Sequence, residues 1–180
     1  GYEQDKAANA PQPKYRCLVW ACPAHYYTNF TYWTQHCWGV TCVNDMEAML
    51  SYQPITIGDK EQALADLVRC YEKMMMRSHT NGGYVNLLEE GWKIDEKFHT
   101  NIVIMYDHVS CKNVGGLHGL FEDQARERGI HLIWIPHDVM DPRTVSRREM
   151  REAFSQYMVT VLNEKPLDPT LLDYEDALSW

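Results

Sequence analysis

The order of apolar and polar residues along this chain predicts strands that alternate with helices. Four short apolar runs predict strands at 15–21, 39–43, 101–106 and 131–136. The run at 101–106 has no polar alternation, as expected of a strand that is covered on both faces. Together the runs predict one sheet with four strands.

Segments with helical spacing separate these strands and follow the last one. They cover 29–38, about 60 to 78, 84–98, 116–128 and 146 to about 162. Gly91 interrupts the third segment, whereas Ser146 and Glu149 predict a capping box at the start of the fifth. The second segment has one apolar stripe, typical of a helix face that packs, at Leu64, Leu67, Val68, Tyr71, Met74 and Met75.

This element order predicts the α/β class, with a doubly wound, mainly parallel four-stranded sheet and helices on both faces. The flavodoxin-like or Rossmann-like strand order 2-1-3-4 is the expected one. In such sheets the ligand crevice lies at the carboxyl ends of the strands where the order reverses, here between the first and third strands. We assign 15–163 to this domain, 1–14 to a linker or arm and 164–180 to a C-terminal tail.

Composition restricts the classes of partner. The 180 residues have a net charge of −8, which argues against binding to a nucleic-acid backbone or an anionic membrane. No apolar run approaches the ~18 residues of a membrane span. Neither a G-x-G-x-x-G nor a phosphate-binding loop occurs, so no nucleotide cofactor is expected. Six cysteines without a C-x-x-C pair, and no signal peptide, predict reduced thiols and a cytoplasmic protein.

Two loops reach the predicted crevice, and each brings a cysteine and a histidine. The loop at 22–28 carries Cys22 and His25, and the loop at 107–116 carries His108 and Cys111. Three interpretations of Cys111 stay open: a structural thiol, a nucleophile beside His108, or a ligand of a metal cluster. Iron–sulfur clusters usually have four ligands, so most of the others would come from elsewhere.

The segment 98–166 resembles the C-terminal domain of the 2-hydroxyacyl-CoA dehydratase and benzoyl-CoA reductase family. The resemblance rests on the third strand, Ser110-Cys111-Lys112, the helix at 116–128 and Asp141-Pro142-Arg143 before Ser146. The loop at 108–116 and the tail at 165–169 look most like a large subunit of the ATP-dependent benzoyl-CoA reductase. Dehydratases more often have Asn-Arg before Ser-Cys, where this chain has His108-Val109.

The resemblance implies an enzyme that feeds low-potential electrons through a [4Fe–4S] cluster to an aromatic acyl-CoA. It implies that two cysteines of a first domain and Cys111 of this one hold the cluster, so the chain is expected to be a C-terminal piece of a subunit. It also implies a homologous second subunit and ATP-hydrolysing activator subunits. A dehydratase, a non-catalytic flavodoxin-like binding module and a hydrolase using Cys111 with His108 are the alternatives.

The same resemblance suggests roles for side chains in the two loops. His25 and His108 are the predicted proton donors, and Ser110 and Lys112 are predicted to bind substrate. Tyr26, Tyr27 and Trp33, with Phe30 and Tyr32, are predicted to form the wall of an aromatic pocket. The alternative for these five is packing of the first helix on the sheet. For His137 and Asp138, which follow the fourth strand, a functional and a structural role are equally expected.

Overall fold

A computed structural model describes residues 7, 12–46, 54–72, 77 and 83–173 of the chain. Its centre is a sheet of four strands, all parallel, in the order β2-β1-β3-β4. The strands are β1 (Tyr15–Trp20), β2 (Val40–Asp45), β3 (Ile102–His108) and β4 (His131–His137). The predicted fold class and strand order are therefore confirmed, and only the strand ends differ by one or two residues.

Helices connect the strands. They are α1 (Phe30–Trp38), α2 (Lys60–Glu72), α3 (Gly83–Phe98), the single turn α4 (Lys112–Gly115), α5 (His118–Arg128) and α6 (Arg147–Thr160), followed by a 3-10 turn (Pro169–Leu171). Helix α3 is continuous through Gly91, so the predicted interruption is wrong. The capping box of α6 is confirmed, because Ser146 N–H donates to Glu149 Oε2 at 2.7 Å and Glu149 N–H donates to Ser146 Oγ at 3.2 Å.

Side chains that alternate along each strand build two hydrophobic cores, one on each face of the sheet. Cys17 and Val19 of β1 pack with α1 and α6 on one face, whereas Leu18 and Trp20 pack with α3 and α5 on the other. Residues from β3 and β4 divide in the same way. The sheet is thus covered by helices on both faces, which explains the apolar run of β3.

The apolar stripe of α2 faces solvent, contrary to the packing expected from its spacing. Leu64, Leu67, Val68 and Tyr71 are 41–58% exposed, and Met74 and Met75 lie outside the described residues. Asp66 is the buried residue of this helix. Its carboxylate accepts hydrogen bonds from Thr56 Oγ1 at 2.8 Å, in the segment before α2, and from Arg69 Nη1 at 2.7 Å, in α2 itself. The buried position of α2 is therefore occupied by a polar side chain and not by the apolar stripe.

The described part of the tail lies against the domain. Leu167 N–H donates to Cys37 O at 2.7 Å, and Glu164 accepts from Tyr15 Oη at 2.6 Å and from Lys14 Nζ. Residues 1–6, 8–11 and 174–180 of the predicted arm and tail lie outside the described residues. In the part of the chain that the structure describes, no helix combines the length and the apolar character needed to cross a membrane.

Candidate functional site

A cavity of about 250 Å³ opens at the carboxyl edge of the sheet. Strands, helices and loops at this edge all contribute to its apolar wall, which consists of Trp20, Ala21, Leu87, Met105, Val114, Phe121 and Val139. The side chains that bring chemistry to it are Cys22, Tyr106, His108, Cys111, Asn113 and His137. The crevice predicted between β1 and β3 therefore exists, and the loop after β4 completes it.

Backbone hydrogen bonds hold the three loops around this cavity together. Val109 N–H donates to His137 O at 3.0 Å, which joins the loop after β3 to the end of β4. His25 N–H donates to Val139 O at 2.8 Å, which joins the loop after β1 to the loop after β4. These two main-chain bonds connect the three loops that surround the cavity.

Asp138 shapes the loop after β4. Its carboxylate accepts hydrogen bonds from Met140 N–H at 2.8 Å and Asp141 N–H at 2.9 Å. These bonds favour the charged form and lower the pKa of Asp138 below its ordinary value. Asp138, which the sequence places beside the crevice, thus has a structural role in this loop.

His108 lines the cavity in a defined orientation. Ser110 N–H donates to His108 Nδ1 at 3.0 Å. A ring nitrogen that accepts a hydrogen bond has no proton, so this contact assigns the proton of the neutral imidazole to Nε2. His108 therefore has an N–H that can donate a hydrogen bond to a ligand, and its role as a proton donor stays a prediction.

His137 is buried at the end of β4, with 1% of its surface exposed. Its ring packs edge-to-face against Tyr106 at 5.1 Å and against His108 at 5.4 Å between centroids. Burial is the main cause that lowers its pKa, the nearby His108 adds to this, and backbone groups of Cys22 and Asp107 oppose it. Neither ring nitrogen has a partner with hydrogen-bond geometry among the described residues.

Two thiols reach the same cavity. Cys22 and Cys111 both line it, and the Cys22 thiol lies 4.0 Å from Nε2 of His25. All six cysteines lie in the described ranges, and none of them forms a disulfide. Across those ranges, no three His, Cys, Asp or Glu side chains are arranged to hold a metal ion. The site thus offers thiol ligands at a cavity without a complete metal-binding cage.

The structure brings only some of the predicted site residues to the cavity. His108 and Cys111 line it, whereas Ser110 and Lys112 are exposed beside it. His25 is exposed on the loop after β1 and is not a lining residue.

Tyr26, Tyr27 and Trp33 lie outside the cavity, in the core between α1 and α6. Each has a hydrogen bond to a later part of the chain: Tyr26 Oη to Val145 O at 2.5 Å, Tyr27 Oη from Arg151 Nη1 at 3.0 Å, and Trp33 Nε1 to Leu171 O at 2.9 Å. These contacts match the packing alternative for the aromatic residues, and their role in substrate binding stays a prediction.

Most of the apolar wall was not predicted from the sequence. Trp20 and Met105 could have been found, because each lies near the carboxyl end of a predicted strand beside the reversal of strand order. Leu87 and Phe121 come from α3 and α5, and no local signal assigns a helix face to the end of a sheet.

Comparison with known families adds one result. The family model described as 2-hydroxyglutaryl-CoA dehydratase, D-component, matches residues 2–158. The match includes all four strands, both loops that carry the cavity thiols, and most of α6. No curated protein gives a significant match.

Proposed function

Because the chain belongs to the family of the 2-hydroxyglutaryl-CoA dehydratase D-component, we propose that it is part of an iron–sulfur enzyme that acts on acyl-CoA thioesters. The finer proposal is a benzoyl-CoA-type reductase, in which this domain helps to deliver low-potential electrons to an aromatic acyl group. The cofactor is a [4Fe–4S] cluster shared with a further domain. The observation that carries this proposal is a cavity with an apolar wall and with Cys111 and His108 at its polar side.

This chain can contribute one cysteine ligand to a cluster that it shares with another domain. Thiolates are the usual ligands of iron–sulfur clusters, and Cys111 brings a thiol to the cavity. Since the described residues lack a set of three ligands, the other cysteines would come from the further domain. A cluster bound there would supply single electrons at low potential.

Residues of this chain would supply protons to the reaction and form part of the cavity wall. Reduction of an aromatic ring by two electrons also takes up two protons. His108 lines the cavity, and an imidazolium at this position would deliver a proton from Nε2 and return to the neutral ring that Ser110 N–H orients through Nδ1. The half-buried Ala21, Val114 and Val139 give the cavity apolar surface that suits a flat ring, next to the fully buried Trp20, Met105 and Phe121.

The proposed partners are those that the family resemblance implies. We expect the domain with the remaining cysteines, and a homologous second subunit, to cover the mouth of the cavity. Val109 and Met140, on the loops after β3 and β4, are 53% and 70% exposed and would become buried there. ATP-hydrolysing activator subunits would deliver the electrons.

A 2-hydroxyacyl-CoA dehydratase is the second candidate. The description of the matching family model favours it, since that description names a dehydratase component. The same cavity would then hold a hydroxyacyl group, and the product would be an unsaturated acyl-CoA.

Anaerobic purification of the complete complex tests these proposals. Iron and acid-labile sulfide should be present, and ATP with the activator should drive reduction of benzoyl-CoA. Turnover of a 2-hydroxyacyl-CoA instead would identify the dehydratase. An iron-free complex whose activity is lost on thiol alkylation would contradict both and favour the hydrolase, whereas an iron-free complex without activity would favour the binding module.

A further inference from the structure

Cys17 and Cys42 are register partners on the neighbouring parallel strands β1 and β2. Both side chains lie on the same face of the sheet, because Cys17 is part of the core that includes α1 and α6, and Cys42 packs against that core. Neighbouring strands lie about 4.8 Å apart, and disulfides join residues whose Cα atoms are roughly 4.4–6.8 Å apart. The backbone therefore already holds the two cysteines at the separation of a disulfide.

The two thiols interact with each other in the reduced protein. The hydrogen bond from Cys17 is the main cause that lowers the pKa of Cys42, although burial opposes it. The same hydrogen bond, together with burial, raises the pKa of Cys17. Cys42 is therefore the thiol that ionises first, whereas Cys17 keeps its proton.

Exposure separates the two thiols in the same way. Cys42 is half-buried on β2, which is an edge strand, whereas Cys17 is fully buried on β1, which has a strand on each side. The register shifts by one residue directly after the pair, so the ladder is irregular beside Cys42. A small oxidant that enters from solvent would therefore reach Cys42 first.

We propose that Cys17 and Cys42 form a site of reversible oxidation, at which hydrogen peroxide converts the two thiols to a disulfide between β1 and β2. The Cys42 thiolate attacks one oxygen of the peroxide, the O–O bond breaks, and Cys42 becomes a sulfenic acid. The sulfur of Cys17 then attacks the sulfur of Cys42, the S–O bond breaks, and the hydroxyl group leaves as water with the proton of Cys17. The two thiols lose two electrons and two protons, and the peroxide is reduced to two molecules of water.

The disulfide would protect Cys42 and join the edge strand covalently to the sheet. A sulfenic acid that no thiol attacks is oxidised further to a sulfinic acid, which thiol reductants do not reverse, whereas they do reverse a disulfide. The inference is independent of the proposed function, since neither Cys17 nor Cys42 lines the cavity.

Mass spectrometry of the full 180-residue chain tests this assignment. The reduced chain is treated with a small molar excess of hydrogen peroxide, the remaining thiols are alkylated, and the protein is digested with chymotrypsin. This protease cleaves after aromatic residues, so cleavage at Trp20 and Trp38 separates the two cysteines. The expected product is a pair of peptides that contain Cys17 and Cys42 and that dithiothreitol separates. A wild-type chain in which Cys42 becomes a sulfinic acid beside a free Cys17 thiol, or in which both thiols stay reduced, would overturn the inference.

Matched variants assign the roles of the two thiols. In Cys17→Ser no thiol is left to attack the sulfenic acid, so Cys42 should be recovered as a sulfinic acid. In Cys42→Ser the buried Cys17 should stay reduced. Cys70→Ser, which removes a half-buried thiol on α2, should form the disulfide as the wild type does. Oxidation of Cys17 in Cys42→Ser to the same extent as in the wild type would contradict the inference.

Oxidation of the wild-type chain in urea covers the case in which a variant does not fold. Short loops close more readily than long ones in an unfolded chain. Disulfides to Cys22 and Cys37, which lie closer along the chain to Cys17 and Cys42 respectively, should then replace much of the native pair. An equal share of the Cys17–Cys42 disulfide in the folded and the unfolded chain would show that strand register does not direct the pairing, and would overturn the inference.

Discussion

Gly91 of α3 lies directly against the indole ring of Trp20 at the end of β1. A β-carbon at this position would lie 1.8 Å from Cη2 of that ring, well inside any allowed contact. The indole is also held by Trp92 at 5.3 Å and Phe121 at 5.0 Å between ring centroids, so it cannot move aside freely. A glycine is thus required for α3 to approach the sheet beside the cavity.

We expect Gly91→Ala to destabilise the protein by about 3 kcal/mol, because the added methyl group must displace a tightly packed indole. Urea unfolding followed by tryptophan fluorescence measures this loss of stability.

The control is Gly119→Ala, because a β-carbon at this position in α5 meets no atom within 4 Å. This variant should gain about 0.5–1 kcal/mol from helix propensity. A similar loss of stability in both variants would show that the contact with Trp20 is not the cause.

Replacing Cys111 with Ala should shift the free energy of unfolding by no more than about 1 kcal/mol, because its loop adds little to the core. The iron content of the complete complex should fall, and turnover should be lost with it. Cys17→Ala should do the opposite: a small cavity in the fully buried core of β1 costs about 1–2 kcal/mol, and iron per folded molecule stays unchanged. Full iron and turnover in Cys111→Ala would contradict the ligand assignment.

Asp95, near the end of α3, predicts a dependence of stability on pH. Burial is the main cause that raises its pKa from 3.8 to about 7, Glu96 adds to this, and Arg128 opposes it. The folded state therefore keeps a proton that the unfolded chain loses between about pH 4 and pH 7. This contribution to stability is complete below pH 4 and is lost as the pH rises to 7, by roughly 2–4 kcal/mol.

The variant Asp95→Asn should lack this dependence, because its amide does not ionise. Thr100 Oγ1, which donates to Asp95 Oδ1, keeps an acceptor in the variant. Asp95→Asn should be more stable than wild type at pH 8 and about as stable at pH 4. Urea unfolding at pH 4 and pH 8 gives the free energy of unfolding of both proteins. If the variant and the wild type differ by the same amount at both pH values, titration of Asp95 is not the cause.

Ser146→Ala should cost about 1 kcal/mol, because the first turn of α6 loses its N-cap acceptor and half of the capping box. Ser146→Thr keeps a hydroxyl and should lose much less. Thermal unfolding compares the two variants. Equal melting temperatures would show that the N-cap of Ser146 does not contribute to stability.

The sheet could be predicted from the sequence because its strands are short, apolar and separated by segments with helical spacing. That alternation dictates parallel strands, and the reversal of order between β1 and β3 located the cavity and brought Cys22, His108 and Cys111 to it. Prediction was less successful for Gly91. Its small size, which looked like a break in a helix, serves the contact of a continuous helix with the sheet.

The aromatic residues after β1 show why the rest of the site could not be predicted. The direction of this loop is set by a residue far along the chain, since Arg147 donates to Tyr26 O at 2.9 Å from Nε and 2.6 Å from Nη2. That contact holds the loop against α6 and turns Tyr26 and Tyr27 into the core. Likewise, the apolar spacing of α2 defines a face of the helix but does not determine what covers it.

His108 and His137 are paired in register as the last residues of β3 and β4. Their rings therefore project from the same face of the sheet, and their 5.4 Å separation is close to the spacing between neighbouring strands. Because strand pairing fixes this histidine pair, a change in the surrounding loops would leave the two rings in place. A shift of β4 by one residue, in contrast, would place Pro136 or Asp138 beside His108 and replace the second imidazole with a pyrrolidine ring or a carboxylate.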